Sequence, residues 1–454
     1  MFSHKKVDAT KGPILPTMLK YALPLMLTTL IQGLFNAVDI AVLGNMASPT
    51  DVASVGATST IATFLVNLFI GISSGVKILI ARYIGSGNRR KAQDTVNTAI
   101  ISSVGFGLIV AILGFFVAPA FLNITKCPAD CYQGALIYLR IYICGAPAIM
   151  LYNFASSIIT SAGDTQRPLY YMLAGGALNV TLNIVLCLLL PQKVAAVAIA
   201  TIASQLLGAC LCVRRLCKLD GICRLHPKLM RWNPSSFGLI LRMGLPLAIS
   251  SVLYPLANLQ IQTARNSFGS FAIAGHSSAT HLDCVVSAIN GAFATSTNVF
   301  IGQNLGAGKH DRVKKSIRHA FWMSVTGCTV IGIFMFLTGN FWMGLLVGFE
   351  NTDAIYYGRI YMFFVTAFYG VAAANGVLGH AIQSFGYPTV SSFTSIFCIL
   401  GFRVVWMQWI YPAFPTYTNL NLCYTVSWVL LLLSNIVLFT VFYRRYLHGK
   451  YKKL

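Results

Sequence analysis

The stretch LPLMLTTLIQGLFNAVDIAVLG, residues 23–44, is apolar along most of its length, yet it carries Gln32, Asn36 and Asp39. A helix needs about 20 mostly apolar residues to cross a bilayer, so this segment reads as a membrane span. Its three polar groups stand at i, i+4 and i+7, which places them on one helical face. Hydrocarbon cannot satisfy such groups, so that face must turn toward protein or water.

The rest of the chain follows the same grammar. Of 454 residues, 56% are hydrophobic and 10% charged, with a mean hydropathy of +0.70, whereas soluble domains carry roughly 25% charged residues. Gly, Pro and charge clusters punctuate the sequence into about twelve spans, near 16–45, 53–84, 93–122, 132–161, 169–190, 194–216, 237–265, 271–303, 314–342, 354–384, 389–411 and 421–443. The expected fold is an all-α membrane protein.

A net charge of +22 would suggest nucleic acid in a soluble protein. Here the basic residues gather in alternate connections: Lys5, Lys6 and Lys11 before the first span, Arg89–Lys91 after the second, Arg214–Arg231 after the sixth, Lys309–Arg318 after the eighth, and Arg444–Lys453 at the end. The intervening connections hold little beyond Lys126 and Lys193. By the positive-inside rule both termini are expected in the cytoplasm, and no nucleic-acid partner is expected. No cleavable signal is expected either, because the first apolar run lacks a small-residue cleavage pattern. Most of the twelve cysteines fall in spans, as small apolar packers. One bridge, Cys127 to Cys131, is conceivable on the outer face.

The chain also repeats itself. Leu23-Pro24-Leu25 returns as Leu245-Pro246-Leu247, GSGNRRKAQD (85–94) as GAGKHDRVKK (306–315), and YLRIY (138–142) as YGRIY (357–361). Gly163 before Pro168 is answered by Gly386 before Pro388. The order implies two homologous six-helix lobes, 1–216 and 237–454, joined by a cytoplasmic linker, 217–236. Six spans per lobe make the repeat parallel, related by a pseudo-twofold axis along the membrane normal, and several transporters with this plan hold substrate between the halves.

At an offset of 222, Gln32 maps to Tyr254, Asn36 to Asn258 and Asp39 to Ile261. The amides could do no more than hydrogen-bond between helices. Asp39 is costlier, since an aspartate at the bilayer centre costs roughly 2.5–3.5 kcal/mol. A carboxylate there is a group for which H⁺ and a cation can compete, the coupling an exchanger needs; the structural alternative is an ion pair with Lys77 or Arg403. Asp283 is the second intramembrane acid, with His281 or Arg265 as structural partners. Asn179 and Asn183, one turn apart, could add oxygen ligands beside Asp39. Gly71-x-x-x-Gly75 and Gly302-x-x-x-Gly306 suit close helix approach. No Walker loop, nucleophile elbow or paired histidine motif is present, so an ion gradient rather than ATP or catalysis is the expected driver.

Duplicated halves, LPL…QGLFNAVD, GSGNRRKA, SAGDTQRP (161–168) and FIGQNLGAGKHDRVKK (300–315) together resemble the multidrug and toxic compound extrusion (MATE) family over nearly the whole chain. The segments GFRVVWMQWIYPAF (401–414) and YTVSWVLLLLSNI (424–436) look like those of MATE proteins from Clostridium-like bacteria. The resemblance implies twelve helices in two lobes and a multi-pass transporter of the bacterial inner membrane. It implies alternating-access export of small amphipathic, cationic organic compounds in exchange for H⁺ or Na⁺, with no other cofactor.

It also implies that Asp39 carries coupling, assisted by Gln32, Asn179 and Thr201, with Asn36 and Asn183 nearby and Na⁺, if used, at Asp39 and Asn179. Relatives similar in the first span have Asp where this chain has Asn183, which favours H⁺. Another branch has a Glu where this chain has Tyr254, so its carboxylate network does not transfer. Tyr254, Asn258, Asp283, Phe35, Tyr152 and Phe293 are the candidate substrate-cavity residues, and a monomer is expected. The alternative is a lipid-linked oligosaccharide flippase of the same broad superfamily, for which Lys77, Arg140, Arg359 and Arg403 would supply cationic charge.

Overall fold

The computed structural model describes residues 6–125 and 127–448, apart from the side chains of Asn36, Ala37 and Ile40. Lys5, Lys126, Lys450, Lys452, Lys453 and the Asn36 side chain therefore lie outside the described residues. Among the described residues all regular structure is helical. In chain order the α-helices are α1 (Ile14–Met46), α2 (Pro49–Ser86), α3 (Arg89–Ile124), α4 (Tyr132–Cys144), α5 (Ala146–Ser161), α6 (Gln166–Leu189), α7 (Lys193–Cys217), α8 (Pro234–Asn266), α9 (Ser270–Gly306), α10 (His310–Leu337), α11 (Gly339–Val347), α12 (Thr352–Tyr361), α13 (Tyr369–Ser384), α14 (Pro388–Ser395), α15 (Phe402–Val405) and α16 (Tyr417–Leu447). Among the described residues eleven stretches are long and apolar enough to cross a membrane, twelve when α4 and α5 count as one span bent by 45°.

Local chemistry sets the boundaries. Ser48 caps α2 by accepting from the Asp51 amide, while the Asp51 carboxylate accepts from the Ser48 amide, and Pro49 opens the helix. The α2–α3 turn reverses through Gly87 and the α9–α10 turn through Gly308, with φ of +64° and +67°. The duplicated loops share a left-handed position that a side chain would strain. Pro147, which has no N–H, follows the bend at Gly145 and denies the carbonyl of Ile143 a helical donor. The tenth and eleventh spans each contain π-helical turns, at Met362–Thr366, Ile396–Gly401 and Trp406–Ile410.

The chain packs as two compact units. One holds Met1–Val7 and Leu27–Ala248, the other Asp8–Met26 and Ile249–Leu454. The packing boundary thus differs from the repeat boundary: the first half of α1 packs with the second unit, and the first half of α8 with the first. Both exchanges fall two residues after the repeated prolines, Pro24 and Pro246. The segment 217–233 also packs with the first unit.

Small residues make these crossings possible. In the first unit, a Cβ on Gly71 would lie 2.2 Å from the Ala248 Cα, and one on Gly75 2.5 Å from the Gly244 nitrogen. In the second, a Cβ on Gly275 would sit 2.2 Å from the Ala354 carbonyl oxygen. Packing and weak backbone contacts, rather than hydrophobic drive, hold helices together in lipid.

Loop motifs dock the straps that precede α1 and α8. The Val7 amide donates to the carbonyl of Gly163, itself at φ +85°, in the first unit. Beside it Asp164 gathers Arg167 and Arg215 at 3.2 and 3.5 Å. In the second unit Arg312 donates to the carbonyls of Ala9, Lys11 and Gly12, Lys309 to that of Thr10, and Asn304 to that of Ala9. The strap before α8 docks on α3 of the first unit through the Asn233 side chain to Asp94, the Asn233 amide to Thr98 and the Trp232 indole N–H to Ser102.

Candidate coupling site and its counterpart in the second unit

In the first unit the C-terminal half of α1 brings Asp39 to α6. The Asn183 side-chain amide donates to the Asp39 carboxylate at 2.6 Å and to the Asn179 carbonyl oxygen at 3.2 Å. An ionised carboxylate only accepts, so Asn183 must present its NH₂ to Asp39. Both amide protons are then used, and the Asn183 carbonyl oxygen is left buried without a partner. An orphaned buried acceptor costs about 1–3 kcal/mol.

Asn179 and Asn183 are 4% and 0% exposed. No basic side chain lies within ion-pair distance of Asp39 among the described residues. Asp39, Asn179 and the spare oxygen of Asn183 together form an oxygen-rich, acidic spot able to hold a proton or a small cation. No cluster of three His, Cys, Asp or Glu side chains accompanies it among the described residues.

The other expected coupling residues are less closely engaged. Gln32 is exposed, two turns before Asp39 on α1. Thr201 on α7 bonds the Val197 carbonyl of its own helix. Phe35 fills the space over Gly176 of α6, and Tyr152 of α5 packs over Gly208 of α7. Tyr138 on α4 was not singled out from the sequence, yet it is close enough to interact electrostatically with Asp39. Its signal lay in the repeated YLRIY and YGRIY, which read only as evidence of duplication.

The second unit builds a different centre. Asp283 on α9 accepts long hydrogen bonds from the Tyr361 hydroxyl at 3.5 Å and the Thr366 hydroxyl at 3.4 Å, the first just before and the second at the end of the first π-helical turn. Among the described residues it makes no ion pair with His281 or Arg265. Arg403 on α15 donates to Asn258 of α8 at 2.6 Å and twice to Ser427 of α16 at 3.2 Å. Its guanidinium lies against the rings of Tyr424 and Tyr254, 4.5 and 5.6 Å from their centroids. Arg265 donates to Gln262 at 2.8 Å and to the Tyr424 hydroxyl at 3.5 Å. Phe293, an expected cavity residue, is core at 8% exposure, whereas Tyr254 is 42% exposed.

Two of the remaining cationic candidates, Arg140 and Arg359, have structural partners. Arg140 stacks over Phe115 at 4.7 Å, and Arg359 over Phe336 at 4.8 Å. The repeated arginines thus do the same packing work in both units, bedding a charged head on an aromatic face of the preceding span. Cys127 and Cys131 approach to 3.7 Å, sulfur to sulfur, and are unbridged.

Comparison with known proteins agrees with this architecture. The chain is 23% identical over 382 residues to the probable multidrug resistance protein YpnP of Bacillus subtilis, covering 84% of this chain and 85% of that protein. It is 24% identical over 325 residues to the probable multidrug resistance protein NorM of Thermotoga maritima, 70% and 69% covered. Its fold is similar to that of a multidrug resistance MATE family transporter of the MOP superfamily, itself solved in an outward-facing conformation, with a TM-score of 0.86, 18% identity, and coverage of 98% and 100%. The MatE family model matches twice, over residues 24–185 and 246–407, once in each half of the duplication. With most of its length matched in this way, the chain belongs to the MatE family of membrane transporters.

Proposed function

We propose that the chain is a secondary antiporter that exports amphipathic, cationic organic compounds across the cytoplasmic membrane in exchange for H⁺ or Na⁺, by alternating access. In this reading it works as a monomer with both termini in the cytoplasm, the orientation that the basic connections favour. The observation that carries the reading is Asp39: a carboxylate on a span, answered by an amide and by no base among the described residues. Such a group changes its charge only by taking up a proton or a cation, so ion occupancy and conformation are coupled through it.

H⁺ is the first choice of coupling ion. A Na⁺ site gains affinity from each added carboxylate, and α6 offers the amides Asn179 and Asn183. The names of the relatives, probable multidrug resistance proteins, support the substrate class.

The test is dye transport in proteoliposomes under separately imposed pH and Na⁺ gradients. Uptake driven by the pH gradient alone, and lost in Asp39→Asn protein that inserts and folds normally, is the expected result. Full transport by Asp39→Asn would remove the carboxylate from the mechanism. Asn183→Asp is expected to shift the preference toward Na⁺.

A further inference from the structure

The two units build their polar centres from related elements, but one centre carries an acid and the other carries bases. Asn183 lies fifteen residues after Pro168, and Arg403 fifteen after Pro388. Each reaches the first long helix of its repeat, Asn183 to Asp39 and Arg403 to Asn258, and Asn258 aligns with Asn36, one turn before Asp39. In the first unit the charge is an acid on the first helix. In the second it is a base on the fifth span, joined by Arg265 on α8.

Both arginines are 1% exposed. Arginine stays protonated in proteins, so neither can shed its charge on burial. Neither has an acidic side chain within 4 Å among the described residues, and the Nε of Arg265 is buried without a hydrogen-bond partner. What surrounds them is neutral: Asn258, Ser427 and Gln262 as acceptors, Tyr254 and Tyr424 as aromatic faces. Tyr424 links the pair, with its ring against Arg403 and its hydroxyl on Arg265. Asp283 stands one tyrosine farther off, behind Tyr361, whose ring lies 6.1 Å from that of Tyr424.

Buried charge without a counter-ion is expensive unless something anionic completes it. We infer that Arg403 and Arg265 form an anion-binding site in the second unit, which takes the carboxylate of an aromatic organic acid. The guanidinium fork matches a carboxylate's two oxygens, and Tyr254, exposed over Arg403, offers a ring for an aromatic body to displace or stack on. The inference rests on the transport reading only in treating this acid as cargo, which would extend the substrates from cations to acids and zwitterions. A phosphate oxygen of an anionic lipid has the same chemistry and is the competing occupant.

The experiment is a binding measurement on the full-length protein in nanodiscs, and so remains readable even if gradient-driven export fails. The probe is 9-anthracenecarboxylate, followed by fluorescence polarisation, with its methyl ester as the uncharged control. In zwitterionic lipid the acid should bind at least tenfold more tightly than the ester. Arg403→Gln should weaken the acid about 30-fold or more, the size seen when one partner of a buried charge pair is truncated, and leave the ester unchanged.

Asn258→Asp supplies an internal carboxylate to Arg403, so it should abolish the preference for acid over ester while keeping or raising the melting temperature. That variant decides the matter even if Arg403→Gln does not fold. Equal binding of acid and ester, or undiminished acid binding by Asn258→Asp, overturns the site. Loss of the probe on adding phosphatidylglycerol to the discs assigns the site to a lipid headgroup and overturns the cargo assignment.

Discussion

The two units share a repeat but not an electrostatic centre. In the first, Asp39 is held by Asn183 and a spare carbonyl oxygen stands beside it; in the second, Arg403 is held by Asn258 and Ser427, with Arg265 one tyrosine away. Several structural features are repeated, among them left-handed glycines at matching turns and arginines laid on matching phenylalanines. The scaffold is thus retained where it is structural and diverges where a polar group faces the interior of a unit. An interior charge has no hydration to fall back on, so its sign largely fixes the ligands that can follow it in.

The largest effect should come from the first centre itself. Asp39→Asn should cut gradient-driven transport by a factor of about 100 or more, as expected when the carboxylate proposed to couple transport is neutralised. Ile261→Asp, which places an acid at the matching position of the second unit, should not restore it. Restoration would mean that the two centres are interchangeable and would erase the contrast.

Next come the crossings that give each unit its shape. Gly275→Val drives a branched side chain into the Ala354 carbonyl and should cost about 1–3 kcal/mol or more, the range for overpacked sites. Gly75→Val should do likewise against Gly244, and melting in mild detergent compares them. A large effect in one unit and none in the other would show that only one depends on close packing.

The straps offer a finer contrast. Arg312→Ala removes three bonds from a charged group to strap carbonyls, each worth about 1.5–3 kcal/mol at most, and should raise amide exchange over residues 8–13 at least tenfold. Asn233→Ala, which loses the Asp94 contact before α8, should raise exchange less. Equal responses would make the two straps equivalent.

The smallest effect concerns Asp8. Partial burial pushes its carboxyl upward, but hydrogen bonds from the Thr10 side chain and amide, with Lys11 and Lys309 nearby, outweigh this and hold it below the usual carboxylate range. Its folded value is therefore the lower one, so its stabilisation is present at neutral pH and fades as pH falls through that value. Asp8→Asn should lower the melting temperature by a degree or so at pH 7, as for a mostly exposed pair, and the difference should vanish once the pH falls below the lowered folded value. A difference that persists in acid would assign the effect to the turn rather than to charge.

Much of this was readable in the sequence, for a physical reason: bilayer thickness imposes span length. The first span, expected at 16–45, is a helix over Ile14–Met46, and the twelfth, expected at 421–443, runs over Tyr417–Leu447. The ninth is expected at 314–342, but α10 stops at Leu337 and α11 starts a separate helix at Gly339. The break at Thr338 carries no proline or charge to announce it. The π-helical turns were equally silent, since one inserted residue leaves hydropathy unchanged.

At the first centre, Asp39 stood out by the cost of burying it, and Asn179 and Asn183 by their spacing on one face. Tyr138 did not, because tyrosines are common in spans. Arg403 stood out only as an unexplained charge. Its neutral partners come from α8 and α16, far apart in the chain, and local patterning cannot report such meetings. The exchange of half-helices between units was hidden for the same reason, although Pro24 and Pro246 marked both places where it occurs.

That exchange bears on how the protein is made. Residues 27–216 leave the ribosome without the segment that packs at Gly71 and Gly75, which arrives only when Pro234–Ala248 has been synthesised. The first half of α1, in turn, must wait beside the translocon for a unit whose sequence has yet to be translated. A gene split between the two repeats would therefore yield fragments that each lack a wall, whereas a split placed after α8 would leave the first fragment able to close.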